Sequence, residues 1–420
     1  KNTFESFSVI VSEDIDISLR SEIATEFFSE ICRLSTKNDL IAKQIEASFT
    51  LMKVFGHTTS ETDLYPCFGN FFRIFFGEAE DMQPVGFDFS PIPLDCDRVT
   101  GKNGNFLIFY QFVAFCYLEP ETMKDFLISE GTNFKALPLD TEIRDNFVDF
   151  ASGFKETKEA LSLLGITEEN QINLFKILAG ILHMSNFNFA TTRNSSVLDK
   201  LDTKILNCLA KLFGSTEGNV ESPFVCAPGA SYNVYFDEVT ATKNLSKTMK
   251  TIYSKIWNWV VNKINEAFPI TKDEKKQKFF IGVVNPVTFN SAKNLVGLVN
   301  NYVVEEIQKI YYHANFSETD STNLCDVFTR KRPPGIFTVL QDVLQYKYCM
   351  GTRVISKFNR EFATDSCVMI RGNEIGIHHT KGDIFYSAEQ ILDDWGFMYD
   401  NVIMVELFQI YCENSLLPLL

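Results

Sequence analysis

KFFIGVVNPVTFN, residues 278–290, is the stretch on which the reading of the chain turns. Residues 279–284 are apolar but for Gly282. A run of this length, bounded by turn formers, suits a strand buried on both faces. It breaks at Asn285-Pro286, because proline removes a ladder donor and restricts the residue before it. Open α/β sheets place ligand sites where a buried strand runs abruptly into a loop. In an ATP-splitting protein such a loop carries an acidic residue for the magnesium shell. Here the position holds Asn285, a neutral amide.

The 420 residues are 45% hydrophobic and 14% aromatic, with 40 phenylalanines. That is enough for one large core of several subdomains, or about two to three domains, and it argues against disorder. A net charge of −15 and a pI near 4.9 count against binding nucleic acid or anionic lipid. Ten cysteines are scattered with no CxxC pair. In a chain this large they read as reduced thiols of an intracellular, cytoplasmic protein, with neither a disulfide framework nor a zinc site. Asn194, Asn244 and Asn315 each head a glycosylation triplet, but no signal peptide supports them. No apolar window is long enough to predict a transmembrane helix. The chain opens at Lys1 rather than at methionine, as a fragment of a longer protein would.

Residues 4–11 read as a strand, 20–34 and 43–55 as helices, 57–63 as a polar loop and 68–76 as a strand. That order is an α/β opening. Residues 77–100, rich in Pro and Asp, read as a connecting excursion, and 106–117 as a buried helix. In 154–189, Gly165 ends one helix and Thr167 caps the next, with Glu168 and Glu169 in its first turn. Residues 198–213 form another amphipathic helix and 221–235 a loop with a short strand. Long helices follow at 240–268 and 295–316. Residues 325–346 are mixed around a Pro333-Pro334-Gly335 stop, 369–386 read as a hairpin and 388–420 as helices.

Several of these segments are similar to one family, in order. FKETKEALSLLGITEENQINLFKILAGILHMSNFNF (154–189) resembles the upper-50-kDa helices of the myosin motor domain. GNFLIFYQF (104–112) resembles that family's helix beginning ERNFHIFYQL, and residues 242–265 its long helix before the central strand. NYVVEEIQKIYYHANF (301–316) resembles the start of the relay helix. PPGIFTVLQD (333–342) and IHHTKGDIFYSAEQIL (377–392) resemble the lower-50-kDa segments. The resemblance implies an α/β, myosin-head-like fold: a central mixed sheet related to the P-loop NTPases, surrounded by many helices. It divides the chain into a phosphate-loop and switch I region (1–76), an upper-50-kDa-like region (77–277) and a switch II, relay and lower-50-kDa-like region (278–420). The head is truncated, since much of the relay and helix-loop-helix segment, the converter and the lever arm have no counterpart here.

Each nucleotide motif that the resemblance implies is altered. The family's phosphate loop reads GESGAGKT, with glycines for close backbone approach, lysine for charge and threonine for magnesium. The matching stretch is Glu13-Asp14-Ile15-Asp16-Ile17-Ser18-Leu19-Arg20, with three carboxylates and no glycine. Like charges at about 4 Å repel by about 4 kcal/mol at an effective dielectric near 20, so this loop should reject a triphosphate. Switch I, NxNSSRFGKF, is matched by a stretch ending Tyr65-Pro66-Cys67-Phe68-Gly69, without its serines or arginine. Switch II, DxxGFE, is matched by residues 285–290, where Asn285, Thr288 and Asn290 replace the metal-shell aspartate, the γ-phosphate glycine and the ion-paired glutamate. ATP and magnesium are therefore expected to be lost as cofactors, together with hydrolysis.

Plainer readings stand beside these. Glu13, Asp14 and Asp16 could ligate calcium, but without the glycine and distal glutamate of that pattern a solvated acidic loop is favoured. His378-His379 reads as a core or edge pair rather than a metal site, and Cys67 and Cys116 as packing residues. Arg330-Lys331-Arg332 sits where an actin-facing loop would be, and reads first as a surface turn. Actin, itself acidic, is the weaker partner for so acidic a chain. The expected function is a catalytically inactive, myosin-like scaffold for a protein partner or larger assembly, with a cytoskeletal association expected as well. The alternative is a divergent myosin that still binds nucleotide or actin filaments.

Overall fold

The computed structural model describes residues 7–10, 26–27, 30, 39–60, 63–77, 84–91, 94, 96–101, 104–128, 132–139, 141–192, 195–198, 202–225, 236–268, 279–285, 292–315, 322–346 and 349–394. Strand β1 (Phe7–Ile10) precedes helix α1 (Asp39–Gly56) and strands β2 (His57–Ser60), β3 (Asp63–Pro66), β4 (Asn70–Phe76) and β5 (Pro84–Pro91). A 3-10 turn (Cys96–Thr100), β6 (Asn105–Phe106), α2 (Leu107–Leu118), α3 (Pro120–Phe126), α4 (Thr141–Asp145), α5 (Phe147–Leu163) and α6 (Glu168–Ser185) follow. Next come β7 (Phe189–Thr192), β8 (Ser195–Leu198), α7 (Asp202–Leu212), α8 (Glu217–Val225), α9 (Glu238–Glu266) and β9 (Phe279–Asn285). The remaining elements are α10 (Leu295–Asn315), α11 (Thr322–Thr329), α12 (Ile336–Leu344), α13 (Gly351–Glu361), β10 (Val368–Arg371), β11 (Glu374–His379) and β12 (Gly382–Ser387).

The central sheet is mixed, in the order β1-β9-β4-β5. The apolar run of 279–284 lies at its middle, with β1 parallel on one side and β4 antiparallel on the other. Val283 is 1% exposed, as expected for a strand covered on both faces, whereas Phe280 and Ile281 are only half-buried. Around the sheet lie helices whose form follows from their sequence. LIFYQFVAFCYL of α2 has no polar stripe, and the helix is buried from Leu107 to Ala114. In α9, Leu245, Met249, Ile252, Ile256, Val260 and Ile264 make the buried stripe that helical spacing predicts.

Between α5 and α6 the local signals act as read. Thr167 is extended and its Oγ1 accepts from Asn170 N at 3.4 Å, capping α6. Gly165 adopts φ +79°, and a Cβ there would meet nothing within 4 Å. Gly165→Ala should therefore cost about 1–2 kcal/mol through the backbone alone. A fall of that size in thermal-melt stability checks it, and an unchanged melt would refute it.

Four sequence expectations are corrected. Residues 57–60 and 63 are not polar loop but strand: β2 pairs antiparallel with β3 and with β6. His57, Thr58 and Thr59 are buried there, a cost that only tertiary contact offsets. The excursion at 77–100 holds β5, which pairs with β4 along its length. Its prolines mark the strand ends, while Phe87 and Phe89 fill the core. Within 221–235, residues up to Val225 finish helix α8, with Pro223 inside it, and 226–235 lie outside the described residues. The hairpin at 369–386 is a three-stranded antiparallel meander.

Buried apolar side chains fall into two clusters with no shared member, one from Ile45 to Val283 and one from Leu295 to Ile391. We refer to them as the first and second lobes. Among the described residues, no element from α10 to β12 packs extensively on an element of the first lobe.

Candidate functional site

Three segments singled out in sequence adjoin strands β1, β9 and β4, whose relevant termini lie at one end of the central sheet. Ile10, the last residue of β1, lies opposite Val284, and Asn285 lies opposite Asn70. Because β1 and β9 run parallel and β4 runs against them, the chain leaves β1 and β9 and enters β4 at the same end. In the sequence after β1 come Glu13, Asp14, Asp16, Ser18, Leu19 and Arg20, and after β9 come Thr288 and Asn290. These eight residues lie outside the described residues.

On the approach to β4, Tyr65 lies in strand β3 opposite Thr58, and Pro66 opposite His57. Pro66 is buried and Cys67 half-buried. Cys67 Sγ is 3.3 Å from Thr58 Oγ1, and its backbone N–H donates to Gly56 O at 2.9 Å. The segment is thereby packed onto the β2–β3 hairpin. His57 beside it is wholly buried, and burial with the nearby Lys53 charge pushes its pKa down to about 3. It is a neutral core imidazole, against the ring of Phe68 at 5.9 Å.

The other candidates are placed as follows. Arg330 is not part of an open basic run: its Nη2 donates to Asp365 Oδ2 at 2.6 Å, and its guanidinium lies over the Phe362 ring at 5.7 Å. Lys331 and Arg332 are exposed on the turn. His378 pairs with Asp383 across the β11–β12 hairpin at 2.6 Å. Cys116 is fully buried, and that burial pushes its thiol up to about 12, which suits packing rather than nucleophilic attack. Among the described residues no group of three or more His, Cys, Asp or Glu could hold a metal ion, and no helix is long and apolar enough to cross a membrane.

Sequence reasoning missed two polar centres. Arg73 on β4 pairs with Asp88 on β5 and lies over the rings of Phe71, Phe75 and Phe280. In the second lobe, buried Glu305 accepts from His379 Nδ1 at 3.2 Å, Thr380 N at 2.9 Å and Thr380 Oγ1 at 3.3 Å. His379 Nε2 is 2.9 Å from the Tyr386 hydroxyl, which accepts from Asn301 Nδ2 at 2.7 Å. With a proton on Nδ1 donated to Glu305 and the Tyr386 hydroxyl donating to Nε2, His379 satisfies this set. Burial, the main cause, raises the Tyr386 pKa, so that its proton stays on. The acid in NYVVEEIQ, three residues after Tyr302, was the available signal for Glu305, but nothing local marks it as the buried one of the Glu305-Glu306 pair.

A family model described as myosin head (motor domain) matches residues 19–396. Myosin IC heavy chain of Dictyostelium discoideum is 25% identical over 378 residues, covering 82% of this chain and 31% of that protein. Myosin heavy chain IB of Acanthamoeba castellanii is 25% identical over 392 residues, covering 86% and 33%. Myosin-K heavy chain of D. discoideum is 26% identical over 389 residues, covering 83% and 44%. The chain thus spans about a third of the length of the first relatives it matches.

Proposed function

Since the chain belongs to the myosin head (motor domain) family, we propose that it keeps the α/β motor-domain fold as a rigid scaffold for a protein partner and runs no ATP cycle. One observation supports this reading: the chain leaves β1 and β9 and enters β4 at one end of the sheet, next to the sequence segments that would have to hold a magnesium–nucleotide. Their residues do not fit that group. The chain leaving β1 offers Glu13, Asp14 and Asp16 where a triphosphate needs glycine amides and a lysine, and β9 ends in Asn285 where the metal shell needs a carboxylate. Tyr65, Pro66 and Cys67 supply neither the aliphatic serine hydroxyl that would ligate magnesium nor a guanidinium for an ion pair.

In this reading the 1–76, 77–277 and 278–420 regions keep their motor-domain positions and act as a body that presents surfaces. Its place of action is cytoplasmic and associated with the cytoskeleton. The second reading, a divergent myosin that still binds nucleotide or actin, is favoured by the myosin relatives themselves. Lys331 and Arg332 are the exposed cations available to a filament contact.

Titration of the chain with a fluorescent ATP or ADP analogue, with magnesium present, separates the readings. No saturable signal up to about millimolar nucleotide, an affinity near −4 kcal/mol, is expected. Saturable binding in the micromolar range would overturn the scaffold reading. Cosedimentation with actin filaments at low salt tests the filament contact independently, because a salt-screened surface contact is strongest there.

A further inference from the structure

Among the described residues β5 lies at one end of the central sheet, and an end strand turns half of its N–H and C=O groups away from its neighbour. Phe89 N donates to Asn265 Oδ1 at 2.8 Å, and Asn265 Nδ2 donates to Phe89 O at 2.9 Å. Both backbone groups of Phe89 therefore point away from β4. Directions alternate along an antiparallel strand, so Phe87 and Pro91 point outward too, while Gly86, Asp88 and Ser90 point to β4. Pro91 has no N–H to offer. Val85 has no partner across the pair, since Phe75 lies opposite Gly86 and Phe76 opposite Pro84.

Asn265 stands in the last turn of α9, 176 positions from Phe89. Its amide makes with Phe89 the same two bonds that a residue of a neighbouring strand would make. The packing of α9 holds it in place: the Trp257 ring lies 6.1 Å from that of Phe89, and the Phe268 ring 5.5 Å from that of Phe87. Ser90 is exposed and Asn265 itself half-buried, so this edge lies near solvent.

We propose that Asn265 guards the outer edge of β5 against pairing with the same edge of a second copy of this chain. A second copy fits because an antiparallel edge matches itself across a two-fold axis. No local charge opposes that pairing. Asp88, the one charged residue of β5, is paired with Arg73, and Lys263 on α9 is paired with Glu266 at 2.6 Å. The net charge of −15 acts at longer range and is screened beyond about 8 Å at physiological salt. Without the Asn265 amide, Phe89 keeps a donor and an acceptor with no partner, two residues from the outward groups of Phe87. Strand addition satisfies both.

Sedimentation velocity of the whole chain at about 0.15 M salt, from about 1 to 50 μM, reads the guard. Asn265→Ala should raise the association constant on the order of tenfold over the parent. Asn265→Gln carries the amide one methylene out of register and should associate as well, so the test survives if the alanine variant misfolds. Asn265→Asp still accepts from Phe89 N but sets like charges across the two-fold axis, and should associate no more than the parent. In the associated alanine or glutamine variant the Phe87 and Phe89 amides should exchange slowly. Parent-like association in whichever of those two variants folds, even with a lowered melting temperature, would mean that Asn265 only fastens α9 to β5, and overturns the proposal. So would an aspartate variant that associates as strongly as the alanine one, or fast exchange of the Phe87 and Phe89 amides in the associated form.

Discussion

Tyr253→Ala should lower the unfolding free energy by about 3–5 kcal/mol. Tyr253 of α9 is fully buried, stacked on Phe106 with ring centroids 4.2 Å apart and planes 16° from parallel. Phe109 lies 5.6 Å away on its other contact, and the hydroxyl donates to Phe55 O at 2.7 Å. One side chain thus joins the long helix to α1, β6 and α2. Burial raises the phenol pKa well above its ordinary value, so the hydroxyl remains a donor across the accessible range. Removing the ring leaves a cavity among side chains that a rigid aromatic core cannot collapse to fill. Tyr253→Phe keeps the stack and deletes only the donor, and should cost about 1–2 kcal/mol. Urea unfolding followed by tryptophan fluorescence measures both. Equal costs for the two variants would show that the ring stack contributes nothing.

Glu305→Leu should cost about 3–5 kcal/mol, through a different mechanism. The side chains of Glu305 and His379 are 2% and 0% exposed, so neither can turn to water when its partner is lost. Leucine would strand the His379 Nδ1 proton and the Thr380 amide, each of which now donates to the carboxylate. Glu305→Gln retains an acceptor oxygen of similar reach and should cost about half as much or less. Thermal unfolding of both variants, together with the His379 ring-proton chemical shifts, provides the check. A leucine variant as stable as the parent would mean that packing, and not the buried carboxylate, holds α10 to the β11–β12 turn.

The candidate site was only half legible. The three candidate segments could be named from sequence, because the family resemblance points to Asn285-Pro286, the acid-rich stretch after β1 and the residues before Phe68. That they leave the sheet at the same end was not legible, because it depends on β1 pairing parallel to β9 while β4 runs antiparallel. Arg330 shows the opposite failure. It reads as one of three surface cations, yet Asp365, 35 positions away, takes it out of the run.

What the sequence determined by itself is local. The cap at Thr167, the stop at Gly165, the α2 helix apolar but for Gln111 and the stripe of α9 depend on residues one to four apart, and all are present as read. What only the tertiary structure decided is the pairing of distant groups. β5 became a strand because β4 lay ready to pair with it, against prolines that suggested a loop. His57 and Glu305 became buried because neighbours from other elements enclosed them, Glu305 through a histidine 74 positions away. Helical periodicity is written within one turn of the chain, whereas the free energy of a strand edge or a buried charge depends on a partner that local sequence does not identify.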